Sequence, residues 1–168
     1  GTSLTEEQVQ LLSRFTKNII ILFDSDIAGQ KAAMRSIEIL LKQDFEVKVI
    51  TLPPGEDPDS FINKNSREKF DELVLKAKNF IEYQTSQFSE QGLFEDSNKA
   101  AQAIRNIVSS IALISDELKR SIMIKTIAKK FNLREKLIET ELNNILEQQK
   151  NRNNITSQRQ SINNILIK

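Results

Sequence analysis

Residues 19–23 are Ile-Ile-Ile-Leu-Phe, an uninterrupted apolar run with β-branched members. Such a run reads as a buried strand. Residues 46–52, Glu-Val-Lys-Val-Ile-Thr-Leu, read as a second strand with Val47, Val49 and Thr51 on one face. Between them, residues 28–43 carry Ala33, Ile37, Leu40 and Leu41 at helical spacing. Strand, helix and strand of these lengths make a βαβ unit, with parallel strands and a right-handed crossover. No other feature constrains the chain as much, because parallel neighbours present their carboxyl ends at one rim.

Each strand runs directly into acid. The first leads into Asp24-Ser25-Asp26, then Ile27-Ala28-Gly29-Gln30-Lys31; the second leads into Pro53-Pro54-Gly55-Glu56-Asp57-Pro58-Asp59. Open α/β sheets place their ligands at this end of the strands. Carboxylates gathered in one small site repel each other, and a bound divalent cation is the commonest reason to tolerate it. Two of the acids have an alternative structural use. Asp26 and Asp57 stand where a helix N-cap is expected, Asp57 just ahead of a proline at the first helical position. Capping and metal ligation are compatible. Asp24 and Asp59 have weaker structural grounds, and Glu56 is a weaker metal candidate than the aspartates. Ser25 reads as a turn residue, and Lys31 as a solvated helix-face lysine more readily than a phosphate contact.

Composition narrows the chemistry. The 168 residues include no Cys and no His, which removes thiol catalysis, imidazole bases and the usual zinc sites. Carboxylates with Mg²⁺ or Mn²⁺ remain as the route to catalysis. The net charge of +1 provides no global basic field for nucleic acid. No apolar run approaches the length of a membrane span, and the polar start, Gly1-Thr2-Ser3, has no signal-peptide character. Absence of Cys suits a reducing cytoplasm, the expected location.

Thr5-Glu6-Glu7-Gln8 reads as a capping box for a first helix with Val9, Leu12 and Phe15 on one face. A short helix should follow Asp57 and end near Lys64, and Ser66 should cap another through about residue 78. Beyond residue 80 no strand is expected. Helices are predicted over about 80–91, 96–114, 116–131 and 134–149, with breaks at Gly92, Ser115 and Asn132. The third carries Leu118, Ile122, Ile124, Ile127 and Ala128 as an apolar stripe. Phe80, Phe88 and Phe131 read as core rather than as base-stacking platforms. Lys119, Arg120, Lys129 and Lys130, beside Asp116 and Glu117, read as a solvated face before a nucleic-acid path. Residues 150–168, rich in Asn, Gln and Ser, read as a polar linker or tail, with Ile162, Ile165, Leu166 and Ile167 able to form an amphipathic turn.

The stretch Leu22-Phe23-Asp24-Ser25-Asp26-Ile27-Ala28-Gly29-Gln30-Lys31-Ala32-Ala33 resembles the second acidic motif of the TOPRIM fold as found in bacterial DnaG-type DNA primases. Leu52-Pro53-Pro54-Gly55-Glu56-Asp57-Pro58-Asp59-Ser60-Phe61 is similar to the third acidic motif of that family, and Gly1-Thr2-Ser3-Leu4-Thr5 to the loop just upstream of the second. Ile114-Ser115-Asp116-Glu117-Leu118-Lys119-Arg120 and Lys129-Lys130-Phe131-Asn132-Leu133 resemble the helical subdomain that closes the polymerase domain. The family usually has Gly at the position of Ser25.

The resemblance implies a partial TOPRIM sheet, an α/β layer with a parallel βαβ unit, over residues 1–79. An all-α helical subdomain follows over 80–149, then the tail. It implies a part of a longer enzyme, lacking the family's strand with a catalytic Glu, its basic subdomain and its zinc-binding domain, the only place where zinc is expected. That enzyme, a nucleotidyltransferase, makes short RNA primers for DNA replication from ribonucleoside triphosphates on a single-stranded DNA template. By resemblance, Asp24, Asp57 and Asp59 are the catalytic carboxylates and hold Mg²⁺ or Mn²⁺, with Asp26 a direct or water-mediated ligand. The chain alone is expected to be inactive, and the replicative helicase is expected to bind through a domain further downstream. The alternatives are another TOPRIM protein, such as a mobile-element primase-helicase, a topoisomerase or an OLD-type nuclease, or a non-catalytic helical docking module. A topoisomerase needs a tyrosine nucleophile, and Tyr83 is the sole tyrosine.

Overall fold

The computed structural model describes residues 4–166, with side chains described for 4–152. The chain begins with helix α1 (Glu6–Leu12), capped by Thr5 in a full capping box with Gln8. Strand β1 (Asn18–Phe23), helix α2 (Ile27–Leu41) and strand β2 (Glu46–Thr51) form the expected βαβ unit. The two strands are parallel, in register from Asn18 opposite Glu46 to Phe23 opposite Thr51. Ala33, Ile37, Leu40 and Leu41 of α2 are all buried against the sheet side. At the end of α2, Asp44 takes a left-handed turn at φ 56°. Lys17 then donates to the Gln43 carbonyl at 2.8 Å and lies over the wholly buried Phe45 ring.

Helix α3 (Pro58–Lys64) and helix α4 (Arg67–Leu75) follow β2. The periodicity predicts that α4 continues to about residue 78; the chain leaves it earlier to form β3 (Lys78–Asn79), antiparallel to β2. The sheet therefore has the order β1-β2-β3 and is mixed, not purely parallel. A two-residue strand has too little alternation to be read from sequence. Helices α5 (Phe80–Glu90) and α6 (Ser97–Ile111) come next, separated by Gly92 at φ 68°, and α7 (Glu117–Lys130) and α8 (Glu135–Leu166) flank Asn132 at φ 52°.

Several side chains face differently from the expectation. Helix α1 ends before Phe15, which is 81% exposed, while Val9 is buried. Strand β1 lies at the sheet margin, so Ile20 is 43% exposed where a buried strand was expected. Thr51 is exposed although Val47 and Val49 are buried, because it sits where β2 leaves the sheet. In α7 only Ile124, Ile127 and Ala128 of the predicted stripe are buried; Leu118 and Ile122 are 71% and 57% exposed. Positions 118 and 122 lie on a different helical face from 124, 127 and 128. Phe80 is buried, and Phe88 and Phe131 are half-buried.

The chain divides into two compact units, one ending at Asp116 and the other beginning at Glu117. A boundary after residue 79 is the sequence expectation. In the structure α5 packs on β2, β3 and α6, and α6 packs on α2, so the first unit includes both helices. Ile107, Ile111 and Ile114 are fully buried there. Ser115 closes the unit, its N–H and hydroxyl both donating to the Asp44 carboxylate at 2.9 and 2.6 Å. In the second unit α7 packs on α8 through Ile124, Ile127, Ile138 and Leu142. The expected linker after residue 149 is helical through Leu166, since no Gly or Pro interrupts α8. The side chains of Ile162, Ile165 and Leu166, along with Ile167 and Gly1–Ser3, lie outside the described residues. Among the described residues no helix is long and apolar enough to cross a membrane.

Candidate functional site

Parallel pairing carries both acidic segments to the same rim. Asp24 is exposed immediately after β1. Asp26 caps α2, its Oδ1 accepting the Gly29 N–H at 2.7 Å. Gly29 is buried, and a side chain there has no space: an added Cβ would overlap the Asp24 carbonyl oxygen and lie 2.9 Å from the carbonyl carbon. The first turn of α2 thus sits directly against the Asp24 backbone.

The second segment begins with a tight turn. Glu56 N–H donates to the Pro53 carbonyl at 3.1 Å, and Gly55 lies at φ 80°. Proline followed by glycine at positive φ is the type II pattern. Asp57 then caps α3, its Oδ1 accepting the Ser60 N–H at 2.8 Å, while the Ser60 hydroxyl accepts the Asp57 N–H at 3.2 Å. The Ser60 N–H bond, supported by the Ser60 hydroxyl, holds the Asp57 carboxyl below the usual Asp range. Glu56 accepts the Ser60 hydroxyl at 2.9 Å and pairs with Lys64 at 3.5 Å. Asp59 is exposed in the first turn of α3.

Ser25 joins the two segments. Its hydroxyl accepts the Gly55 N–H at 3.1 Å and faces the Glu56 carbonyl at 3.4 Å. Its sequence neighbours gave no hint of this, since both partners are 30 or 31 residues away. The same holds for the tight fit of Gly29 on Asp24. The fold therefore brings Asp24, Asp26, Glu56, Asp57 and Asp59 to one rim. All are hard oxygen donors of the kind that suits Mg²⁺ or Mn²⁺. Their number at any one point is insufficient, because among the described residues no group of three or more acids is placed to hold an ion. The donor chemistry fits a divalent cation; an ion at this rim needs additional oxygen ligands.

Lys31 is exposed on α2, and Lys129 and Lys130 are exposed at the end of α7. Tyr83 is buried on α5, and that burial pushes its phenol above the ordinary range. A buried, protonated phenol is a poor nucleophile for a phosphate in solvent.

Residues 1–62 match the family model for Toprim-like domains, and residues 81–135 match the DnaB-helicase binding domain of primase. The chain is 36% identical over 161 residues to a DNA primase from Clostridium acetobutylicum, covering 91% of this chain and 27% of that protein. It is 29% identical to a DNA primase from Halalkalibacterium halodurans, over 93% of this chain and 26% of the relative. The chain therefore spans about a quarter of the length of these relatives. Among solved structures, it resembles the zinc-binding and RNA polymerase domains of the Aquifex aeolicus primase, with TM-score 0.68 and 30% identity over 82% of this chain and 32% of that one. A DnaG primase catalytic domain bound to single-stranded DNA also matches, with TM-score 0.68 and 25% identity over 82% of this chain and 44% of that one. The helicase-binding match falls inside the helical part, at 81–135, whereas the expectation placed that contact downstream of the chain.

Proposed function

Since the chain belongs to the bacterial DnaG-type primase family, we propose that it contributes a metal-holding rim to a DNA-dependent RNA polymerase. The whole enzyme joins ribonucleoside triphosphates into short RNA primers on single-stranded DNA, in the cytoplasm. In domain terms, residues 1–79 are proposed as the C-terminal part of the TOPRIM domain and 80–149 as the helical subdomain, although the compact units divide after Asp116 and α8 runs on into the expected tail, 150–168. The observation that carries this is the register of β1 and β2, which ends Phe23 opposite Thr51 and so starts both acidic segments side by side.

Asp24, Asp57 and Asp59 are the proposed catalytic carboxylates, and Asp26 is a direct or water-mediated ligand. When bound, a divalent cation would lower the barrier by neutralising charge on the attacking and leaving oxygens. The chain's own part is placement. Asp26 and Asp57 each spend one oxygen on a helix cap, which fixes the orientation of the carboxylate. Burial and the raised phenol of Tyr83 weigh against the topoisomerase alternative. The match at 81–135 supports the helical part as a surface for a replicative helicase, in addition to its place in the polymerase.

Two measurements test this. Mn²⁺ titration of the chain should show weak binding that weakens further in Asp24→Asn and in Asp57→Asn; unchanged binding in both moves the metal elsewhere. In the full-length protein, either substitution should nearly abolish incorporation of labelled ribonucleotide on a single-stranded template, with the circular dichroism spectrum unchanged.

A further inference from the structure

We propose that Ser25 is a positioning residue that locks the two acidic loops into one site, an inference that rests on the metal-rim reading above. The β1–β2 ladder ends at Phe23 and Thr51, and past it the chains diverge into α2 and α3. Nothing in the ladder holds Asp24 at a set distance from Glu56, Asp57 and Asp59. Ser25 spans that gap. Its hydroxyl accepts the Gly55 N–H at 3.1 Å and is placed to donate to the Glu56 carbonyl at 3.4 Å. A hydroxyl has one donor and two acceptor lone pairs, so both contacts form at once.

The geometry on the far side is prepared for this contact. Gly55, at φ 80° in the Pro53–Glu56 turn, has its N–H directed to the Ser25 hydroxyl. The strap is flanked by carboxylates at both ends: Asp24 and Asp26 beside Ser25, Glu56 and Asp57 beside Gly55. On the near side, the contact of Gly29 with Asp24 fixes the loop against α2. With Ser25 in place, a shift of either loop moves the other. Glycine or alanine at this position has no hydroxyl and leaves the loops independent; threonine keeps the hydroxyl.

The chain itself serves for the test, as Ser25→Ala and Ser25→Thr. Hydrogen exchange of the Gly55 amide should be roughly three- to tenfold faster in Ser25→Ala, the range expected for one lost neutral hydrogen bond. Ser25→Thr should restore it. The second readout is coupling between Asp24 and Asp59 in Mn²⁺ binding, from the Asp24→Asn and Asp59→Asn single and double variants. The two substitutions should be non-additive with Ser25 and with Ser25→Thr, and additive in Ser25→Ala. A merely structural serine would leave that coupling unaltered. If Asp24→Asn weakens Mn²⁺ binding but the coupling is the same in Ser25→Ala, this proposal alone is overturned. If neither Asp24→Asn nor Asp59→Asn changes Mn²⁺ binding, the metal-rim reading falls and the proposal with it.

Discussion

At Gly29 a methyl group has nowhere to go, since the obstruction is the Asp24 backbone and not the end of a flexible side chain. Gly29→Ala must push α2 off the β1 tip. Overpacking of this kind costs about 1–3 kcal/mol and more where the backbone cannot yield. Urea unfolding should show a loss in that range, together with weaker Mn²⁺ binding than in the unsubstituted chain. A fully stable Gly29→Ala chain would mean that α2 and β1 are further apart than described. Asp57 supports a different measurement. Its carboxyl is held below the ordinary value of 3.8 by the Ser60 N–H, so the cap favours the ionised form. A group with a depressed folded pKa contributes stability above its unfolded value and loses it as pH falls through its folded value. The start of α3 should loosen as pH falls through the folded midpoint, and the Ser60 amide shift should titrate with that midpoint under the ordinary 3.8. A midpoint at or above it would contradict the cap.

Among the elements, α7 separates two faces that look equally apolar in sequence. Ile124 is 1% exposed and Ile122 is 57% exposed. Deleting a fully buried isoleucine side chain to alanine costs about 2–5 kcal/mol through lost burial and the cavity left behind. An exposed position away from caps and ion pairs changes stability by about 0.5 kcal/mol or less. Ile124→Ala should therefore lower the urea midpoint clearly, and Ile122→Ala should hardly move it. Equal effects would mean that Ile122 is covered. The exposed pair Leu118 and Ile122 lies within the segment, 81–135, that matches a helicase-binding domain model.

For the whole molecule, the decisive numbers are the net charge of +1 and the span of about a quarter of the relatives' length. Holding single-stranded DNA depends on phosphate neutralisation by clustered cations. An ion at the rim needs ligands beyond those the described residues bring together. The 168-residue chain should thus make no primers by itself, in the labelled-ribonucleotide assay with single-stranded template and Mg²⁺. Primer synthesis by this chain would show that the rim is sufficient.

The βαβ unit, the caps at Thr5, Asp26 and Asp57, and the helix breaks at Gly92 and Asn132 were all legible in the sequence. Each is a local matter: apolar period, a side-chain oxygen within three residues of its N–H, or a residue tolerant of positive φ. That both strands end at one rim was legible too, because parallel neighbours present their carboxyl ends on the same edge. What tertiary structure decided was contact between segments distant in sequence. β3 exists only because β2 offers it an edge. α5 and α6 join the first compact unit because they pack on the sheet and on α2. Ile20 and Ile122 are exposed because no described element covers them. Ser25 became a strap because β1 and β2 end in register, so that a hydroxyl on one loop meets an N–H 30 residues on. Period and propensity carry no record of such meetings, which depend on where two surfaces arrive after the chain has folded.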